Sequence, residues 1–403
     1  MKKPELLSPA GTLKNMRYAF AYGADAVYAG QPRYSLRVRQ NDFNKLNNLA
    51  QAIDEAHSLG KRFYVACNIL PHNSKLKTFL DDITPIIEMQ PDALIMADPG
   101  LIMMVRERWA QMPIHLSVQA NTMNYAAVRF WQNIGISRII LSRELSLEEV
   151  AEIRQTCPDI ELEVFVHGAL CIAYSGRCLL SGYLNHRDAN QGSCTNACRW
   201  NYKVLEEKQR PGEYMPIFED EQGTYIMNSK DLRAVQHVGR LMEIGIDSLK
   251  IEGRTKSHYY AARTAQVYRQ AIDSANQPFN KNLMLELDKL ANRGYTEGFF
   301  RRHLPSEYQN YEASDNPQQQ FVGEVLAYDD KTKLLEVEVK NHFELGDSLE
   351  LMRPQGNLRF TLEYLENRPG ESIGVAPGSG HKVRVRAPVQ NAGSWGLLCK
   401  DLK

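Results

Sequence analysis

Cys171, Cys178, Cys194 and Cys198 crowd into one short run of a 403-residue chain, EVFVHGALCIAYSGRCLLSGYLNHRDANQGSCTNACRW. Thiolates at that density are suited to holding metal. Zinc sites favour two close pairs, typically C-x₂₋₄-C twice. Here the spacings are C-x₆-C, C-x₁₅-C and C-x₃-C, so only the last is tight. An iron–sulfur cluster takes single thiolates from separate backbone segments and tolerates such irregularity. The spacing therefore favours a cluster, with zinc as the alternative and purely structural thiols as a third reading. The other cysteines, Cys67, Cys157 and Cys399, are scattered through strand-like or terminal segments, where a thiol packs as a small hydrophobe. Disulfides are not expected. The chain opens MKKPELLSPAG, without the apolar run of a secretory signal, and its cysteine count is odd. The expected location is a reducing cytoplasm. No apolar stretch reaches the roughly 18–20 residues of a membrane-spanning helix.

Lysine plus arginine equals aspartate plus glutamate at 48 each, so overall charge does not draw the chain to nucleic acid or membrane. Any RNA contact must use a local basic patch.

The elements that position the thiols alternate. Short apolar runs at Glu5–Pro9, Ala26–Gly30, Arg62–Asn68, Ala93–Asp98, Ile114–Gln119, Arg138–Arg143, Glu161–Gly168 and Ser248–Glu252 read as strands. Between them, Thr12–Tyr22, Lys75–Met89, Tyr125–Ile134, Leu147–Cys157 and Asp231–Ile244 have helical periodicity. Eight strands alternating with helices predict an α/β fold, a (β/α)8 TIM-like barrel over residues 1–302. An open doubly wound sheet fits the periodicity too, but no G-x-G-x-x-G follows the first strand. The segment from about 168 to 231 is too long for an ordinary βα connection and reads as an inserted Cys-rich loop. Within it NYKVLEE and GTYIMNS are expected to pair as a hairpin, and EKQRPGEYMPIFEDEQ to form a solvated loop. Residues 303–319 read as a linker. From 320 to 403 short strands separated by turns (FVGEVLAY, LLEVEVK, DSLELMR, LRFTLEYL, KVRVRAP) predict a small antiparallel β-barrel. Lys382, Arg384 and Arg386 share one face of the last strand, which reads first as a solvated face and second as a phosphate contact.

Active sites of such barrels lie where strands end and βα loops begin. Asn68, Asp98, Gln119, Asn121, Ser142, Arg143, Glu144, His167, Lys250, Glu252 and Arg254 all fall at those ends. Each alone is readily a helix cap or a loop hydrogen bond; their shared location is what suggests a pocket.

Glu163, Phe165, Gly168, Ala169, Cys171, Gly176, Cys178 and Ser181 resemble the signature of peptidase family U-32. The likeness runs on through PELLSPAG, GADAVYAG, HLSVQAN, ILSRELSLEE, NSKDL, SLKIEGRTKS and RGYTEGFF into the C-terminal module. It implies an iron–sulfur protein, a 4Fe–4S cluster held by Cys171, Cys178, Cys194 and Cys198. It also implies oxygen-independent, prephenate-dependent hydroxylation of a pyrimidine, here the wobble uridine of tRNA to 5-hydroxyuridine, with prephenate or a prephenate-derived molecule as co-substrate, the anticodon loop as partner and accessory redox or cluster-assembly proteins. Peptidase activity is the alternative, but neither a G-x-S-x-G elbow nor an H-E-x-x-H helix is present. A noncatalytic RNA-binding or zinc scaffold is the third option. Prephenate is a dicarboxylate, for which Arg143 and Arg254 are suited. Lys250 is expected to position a phosphate or carboxylate, and His167 to move a proton near the base or to satisfy loop carbonyls. For RNA, Arg33, Tyr34, Arg37 and Arg39 mix stacking with charge, and Arg301, Arg302 and His303 form a second basic run.

Overall fold

The computed structural model describes residues 2–31, 33–36, 41–170, 230–292, 294–301, 318–389 and 394–402, and the backbone of two short strands, Phe218–Asp220 and Gly223–Tyr225. The expected eight strands are present: β1 (Glu5–Pro9), β2 (Ala26–Gly30), β3 (Arg62–Cys67), β4 (Ala93–Met96), β5 (Ile114–Leu116), β6 (Arg138–Ile140), β7 (Glu161–Ala169) and β8 (Ser248–Ile251). All neighbours run parallel, and β8 pairs with both β1 and β7, closing the barrel. Several strands stop one to three residues early, because the chain must turn at the mouth. Helices begin where the sequence supplies a side-chain acceptor: Thr12 caps Leu13–Ala21, Asp98 caps Pro99–Arg108, and Ser146 with Glu149 forms a capping box on Leu147–Thr156.

Two expectations are corrected here. Asp231–Ile244 is not one helix: Asp231–Arg233 is a strand antiparallel to the end of β7, and the helix is Val238–Ile244. The free edge at the end of β7, beyond its partner β8, captures those three residues. In the insertion, Gly223–Tyr225 pairs with Phe218–Asp220, a segment read as solvated loop. NYKVLEE lies outside the described residues.

The C-terminal module is a seven-stranded antiparallel sheet beginning at Gln319–Asp329. LRFTLEYL, read as one strand, is two, Leu358–Thr361 and Leu365–Asn367, at opposite edges of the sheet. Three linking residues span at most about 13 Å, so the sheet is curled until its edges meet. Lys382, Arg384 and Arg386 do share a face, but Glu338 and Glu336 oppose the first two across the neighbouring strand, and Arg384 pairs with Glu366 at 2.9 Å.

The helix His258–Asp273 joins the two modules through a buried ion cluster. Arg263, 0% exposed, donates to both carboxylate oxygens of Glu350 (3.0 and 3.1 Å), to Gln319 at 3.0 Å and to Glu286 at 2.5 Å. Lys289 adds a bond to Glu350 at 2.9 Å. Burial alone would raise the Glu350 carboxyl, but Arg263 and Lys289 outweigh it and hold it down at about 2. Its stabilising effect is full above the unfolded carboxyl value of about 4.3 and disappears as pH falls towards 2. Glu350→Gln should cost about 3–5 kcal/mol at neutral pH, and urea melts of this variant should lose part of the acid dependence that wild type shows between about pH 4.5 and 2.

Candidate active site at the barrel mouth

The interior of a (β/α)8 barrel is ordinarily filled by layers of branched apolar side chains. This one is threaded by charge. Arg62 at the N-terminal rim meets Glu5 (3.1 Å), Glu5 meets Arg138 (2.6 Å), Arg138 meets Glu163 (3.2 Å) and Glu163 meets Lys250 (2.8 Å). The Tyr64 hydroxyl and Ser248 also donate to Glu5. Signs alternate along the series, and Arg138, Glu163 and Lys250 are 2%, 0% and 2% exposed. Burial alone would lower the Arg138 guanidinium, but Glu5 and Glu163 hold it above its ordinary value. Burial also pulls the Lys250 ammonium down, with Glu163 opposing. His115, edge-on to Tyr64 at 4.7 Å, is pushed well below the usual range by burial and by Arg138 and Lys250.

At the mouth the series meets two rings. Lys250 Nζ lies 4.3 Å from the Tyr28 ring centre and 5.5 Å from that of Phe165. The Arg143 guanidinium lies 3.9 Å from the Phe165 ring centre and that of Arg254 5.7 Å from Tyr28. The order across the mouth is Arg143, Phe165, Lys250, Tyr28, Arg254, cation and ring alternating. Rings orient guanidinium groups without neutralising them. Arg254 also donates to Ser35 Oγ at 2.6 Å, and a side chain at Gly30 would collide with its guanidinium. Arg143, half-buried, lines a small recess with Ser142, Phe165, Glu297 and Phe299.

Of the other strand-end residues, Asn68 bonds Ser117 and Gln119, Ser142 bonds Glu144, and Asp98 is committed to its helix cap. Asn121 sits in the left-handed region at φ 51°, and Glu252 is buried. His167 is not in the mouth. A register shift between Lys250 and Ile251 turns it outward, where it packs among Tyr260, Tyr268 and Tyr295 with ring centres 5.5–5.8 Å away. Burial, with Lys256 and Arg233 adding repulsion, lowers it to about 3. It is a neutral packing residue rather than a proton carrier. Tyr34 is no stacking platform either: it is fully buried and its hydroxyl donates to Asp82 at 2.6 Å. Arg33 also pairs with Asp82. Arg37, Arg39, Arg302 and His303 lie outside the described residues, while Arg301 pairs with Glu297 at 3.1 Å.

The four clustered cysteines are likewise outside the described residues, but their anchor is not. β7 ends at Ala169, two residues before Cys171, and Gly168 there has φ 102°. A Cβ on Gly168 would come within 2.5 Å of the Glu252 carbonyl oxygen, so only glycine lets the end of β7 lie this close to the chain after β8. Cys67 and Cys399 are buried and free, and burial pushes both thiols up to about 12; Cys157 is buried and free too. These three are poor metal ligands.

Sequence reasoning did not assign Arg138, Glu5 or Tyr28 to the site, and it named Glu163 and Phe165 only as part of the family signature. The available signal was charge inside strands of a fully buried parallel sheet: Glu5 in ELLSP, Arg138 in RII, Glu163 in ELEVFVHGA and Lys250 in SLKI.

A closed barrel with a charged bore, a cationic mouth and a cysteine segment at the end of β7, followed by a curled antiparallel sheet, defines one class of protein. The model of Peptidase family U32 matches residues 11–310, and that of the Peptidase family U32 C-terminal domain matches residues 317–398. The chain belongs to that family. It is 60% identical, across 100% of its length and 97% of the relative's, to tRNA hydroxylation protein P of Escherichia coli (strain K12). It is 58% identical, across 99% and 96%, to tRNA hydroxylation protein P of Haemophilus influenzae (strain ATCC 51907 / DSM 11121 / KW20 / Rd). The 23S rRNA 5-hydroxycytidine C2501 synthase of Escherichia coli (strain K12) is 30% identical, over 96% of this chain and 58% of that one.

Because His167 is held neutral, protonating it opposes folding, and this penalty grows as pH falls from about 6.5 towards 3. His167→Phe keeps the ring packing, and Tyr268 retains its 2.6 Å bond to the Val166 carbonyl. Thermal melts should show this variant losing less stability than wild type between about pH 6.5 and 4.

Proposed function

We propose that this chain is an iron–sulfur enzyme that hydroxylates the wobble uridine of tRNA to 5-hydroxyuridine without molecular oxygen, with prephenate as co-substrate. The observation that carries the reading is the cationic mouth, with Arg143 and Arg254 braced on Phe165 and Tyr28 in a barrel whose β7 ends two residues before Cys171 in sequence. The names of the RNA-hydroxylating relatives, two of them near 60% identity over essentially the whole chain, support the reaction class and the RNA substrate.

Cys171, Cys178, Cys194 and Cys198 would hold the cluster. When bound, such a cluster supplies one-electron transfer. The chain's own task is to place base and co-substrate together and keep competing groups away. Arg143 and Arg254 take one carboxylate each, their planar donors suiting bidentate contact. Phe165, Tyr28 and the buried Lys250 hold those donors in place and keep the floor of the mouth dry. The base comes from a partly unstacked anticodon loop, which lowers the cost of extraction. Such a substrate places the enzyme in the cytoplasm. Accessory proteins that reduce or assemble the cluster fit the same scheme. Peptide hydrolysis is less well supported: His167 is buried and neutral, and Ser142, the serine beside Arg143, is bonded to Glu144 with no histidine base among its described partners.

Mass spectrometry of tRNA nucleosides from a deletion strain tests the proposal. The wild-type gene should restore 5-hydroxyuridine and Cys171→Ala should not; profiles unchanged by deletion would discard the reading. Arg143→Ala should abolish product while changing stability by no more than about 1 kcal/mol, since a half-exposed cation–π contact is worth about that. Protein isolated anaerobically should carry about four irons and four sulfides, and chelation should remove both the colour and the activity. Zinc alone in that preparation would favour the scaffold alternative.

A further inference from the structure

The charge series in the bore does no obvious work for folding. Buried ion pairs rarely stabilise more than apolar residues of equal volume, and similar barrels fill this space with valine, isoleucine and leucine. Here five strands each contribute a charged member: Arg62 from β3, Glu5 from β1, Arg138 from β6, Glu163 from β7 and Lys250 from β8. Glu163 is central, because one oxygen takes Arg138 and the other takes Lys250. The series ends in a cation at the mouth, and that cation lies against the two rings that brace Arg143 and Arg254.

We propose that Glu163 is a positioning residue of this site: by pinning Lys250 against Tyr28 and Phe165 it fixes a buried positive charge beneath the mouth, which draws a dianionic ligand to Arg143 and Arg254. The inference rests on reading the mouth as a dicarboxylate site. Lys250 is too deeply buried to touch the ligand and acts through its field, which is strong where water is excluded. Arg138 has the same role deeper in the bore, keeping Glu163 ionised and aimed at Lys250. The groups facing Lys250 are Glu163 on β7, Arg138 on β6, His115 on β5, Tyr28 on β2 and Arg254 beyond the end of β8. Glu163 is the carboxylate among them.

Paired substitutions separate this role from a structural one. Glu163→Gln and Lys250→Met should each lose stability, whereas the double variant, with no unpaired charge between β7 and β8, should recover most of it. Prephenate binding to the purified holoprotein, followed by calorimetry, should remain at least about tenfold weaker in the double variant, because the ammonium beneath the mouth is gone while the carboxylate lost with it lies deeper in the bore beside Arg138. Lys250→Arg should keep most of the affinity. In Glu163→Gln alone, Lys250 lacks its counter-ion and sheds its proton at lower pH than in wild type, so affinity should fall with rising pH before that of wild type does. A double variant that binds prephenate as wild type does, or a wild-type protein that does not bind it, overturns the inference. Binding that falls as described in a protein whose gene restores no 5-hydroxyuridine would instead overturn the proposed reaction and leave the role of Glu163 standing.

Discussion

The bridge from Glu163 to Arg138 and Lys250 is the constraint around which the barrel is arranged. A carboxylate with no solvent exposure must have its charge met by partners at fixed distances, and those partners must be met in turn. Glu5 answers Arg138 at one end. Tyr28 and Phe165 close around Lys250 at the other. The geometry of the mouth is therefore set in part from inside the bore. Arg143 and Arg254 rest on rings that pack against a buried ammonium, and Arg254 is also held by Ser35.

The same logic recurs between the modules. Arg263, Lys289, Glu350 and Gln319 form a second dry cluster, so both the catalytic scaffold and its attachment rely on ion pairs that must all be present together. Breaking either cluster leaves a charge where water cannot reach it, and the penalty for that exceeds what the pair contributes intact.

The barrel strands were legible because parallel strands covered on both faces appear as continuous apolar runs bounded by polar residues. Their ends were legible for the same reason, which is how Arg143, Lys250 and Arg254 came to be singled out. Glu163 was visible as part of the family signature, but its role was not: only the closed barrel shows its side chain facing Arg138 and Lys250 in the bore. Tyr34 and His167 were misjudged through long-range partners. Asp82 lies 48 residues from Tyr34 and draws its hydroxyl inward, while a register shift against β8 rotates His167 towards tyrosines from a helix a hundred residues away. Asp231–Arg233 was absorbed into a helix because three residues are too few to show a period of two. Leu397–Asp401, which pairs with Gln319–Asp329, was overlooked because it lies after a turn-rich stretch in a run that, taken alone, resembles a frayed terminus.

A waterless ion cluster makes a poor hinge. Swinging the curled sheet away from the helix His258–Asp273 would strand an arginine and a lysine against a single carboxylate. The two modules therefore present a fixed spacing and angle to anything that reaches across both. A long, stiff ligand would be selected by whether it fits that ruler, rather than by being clasped.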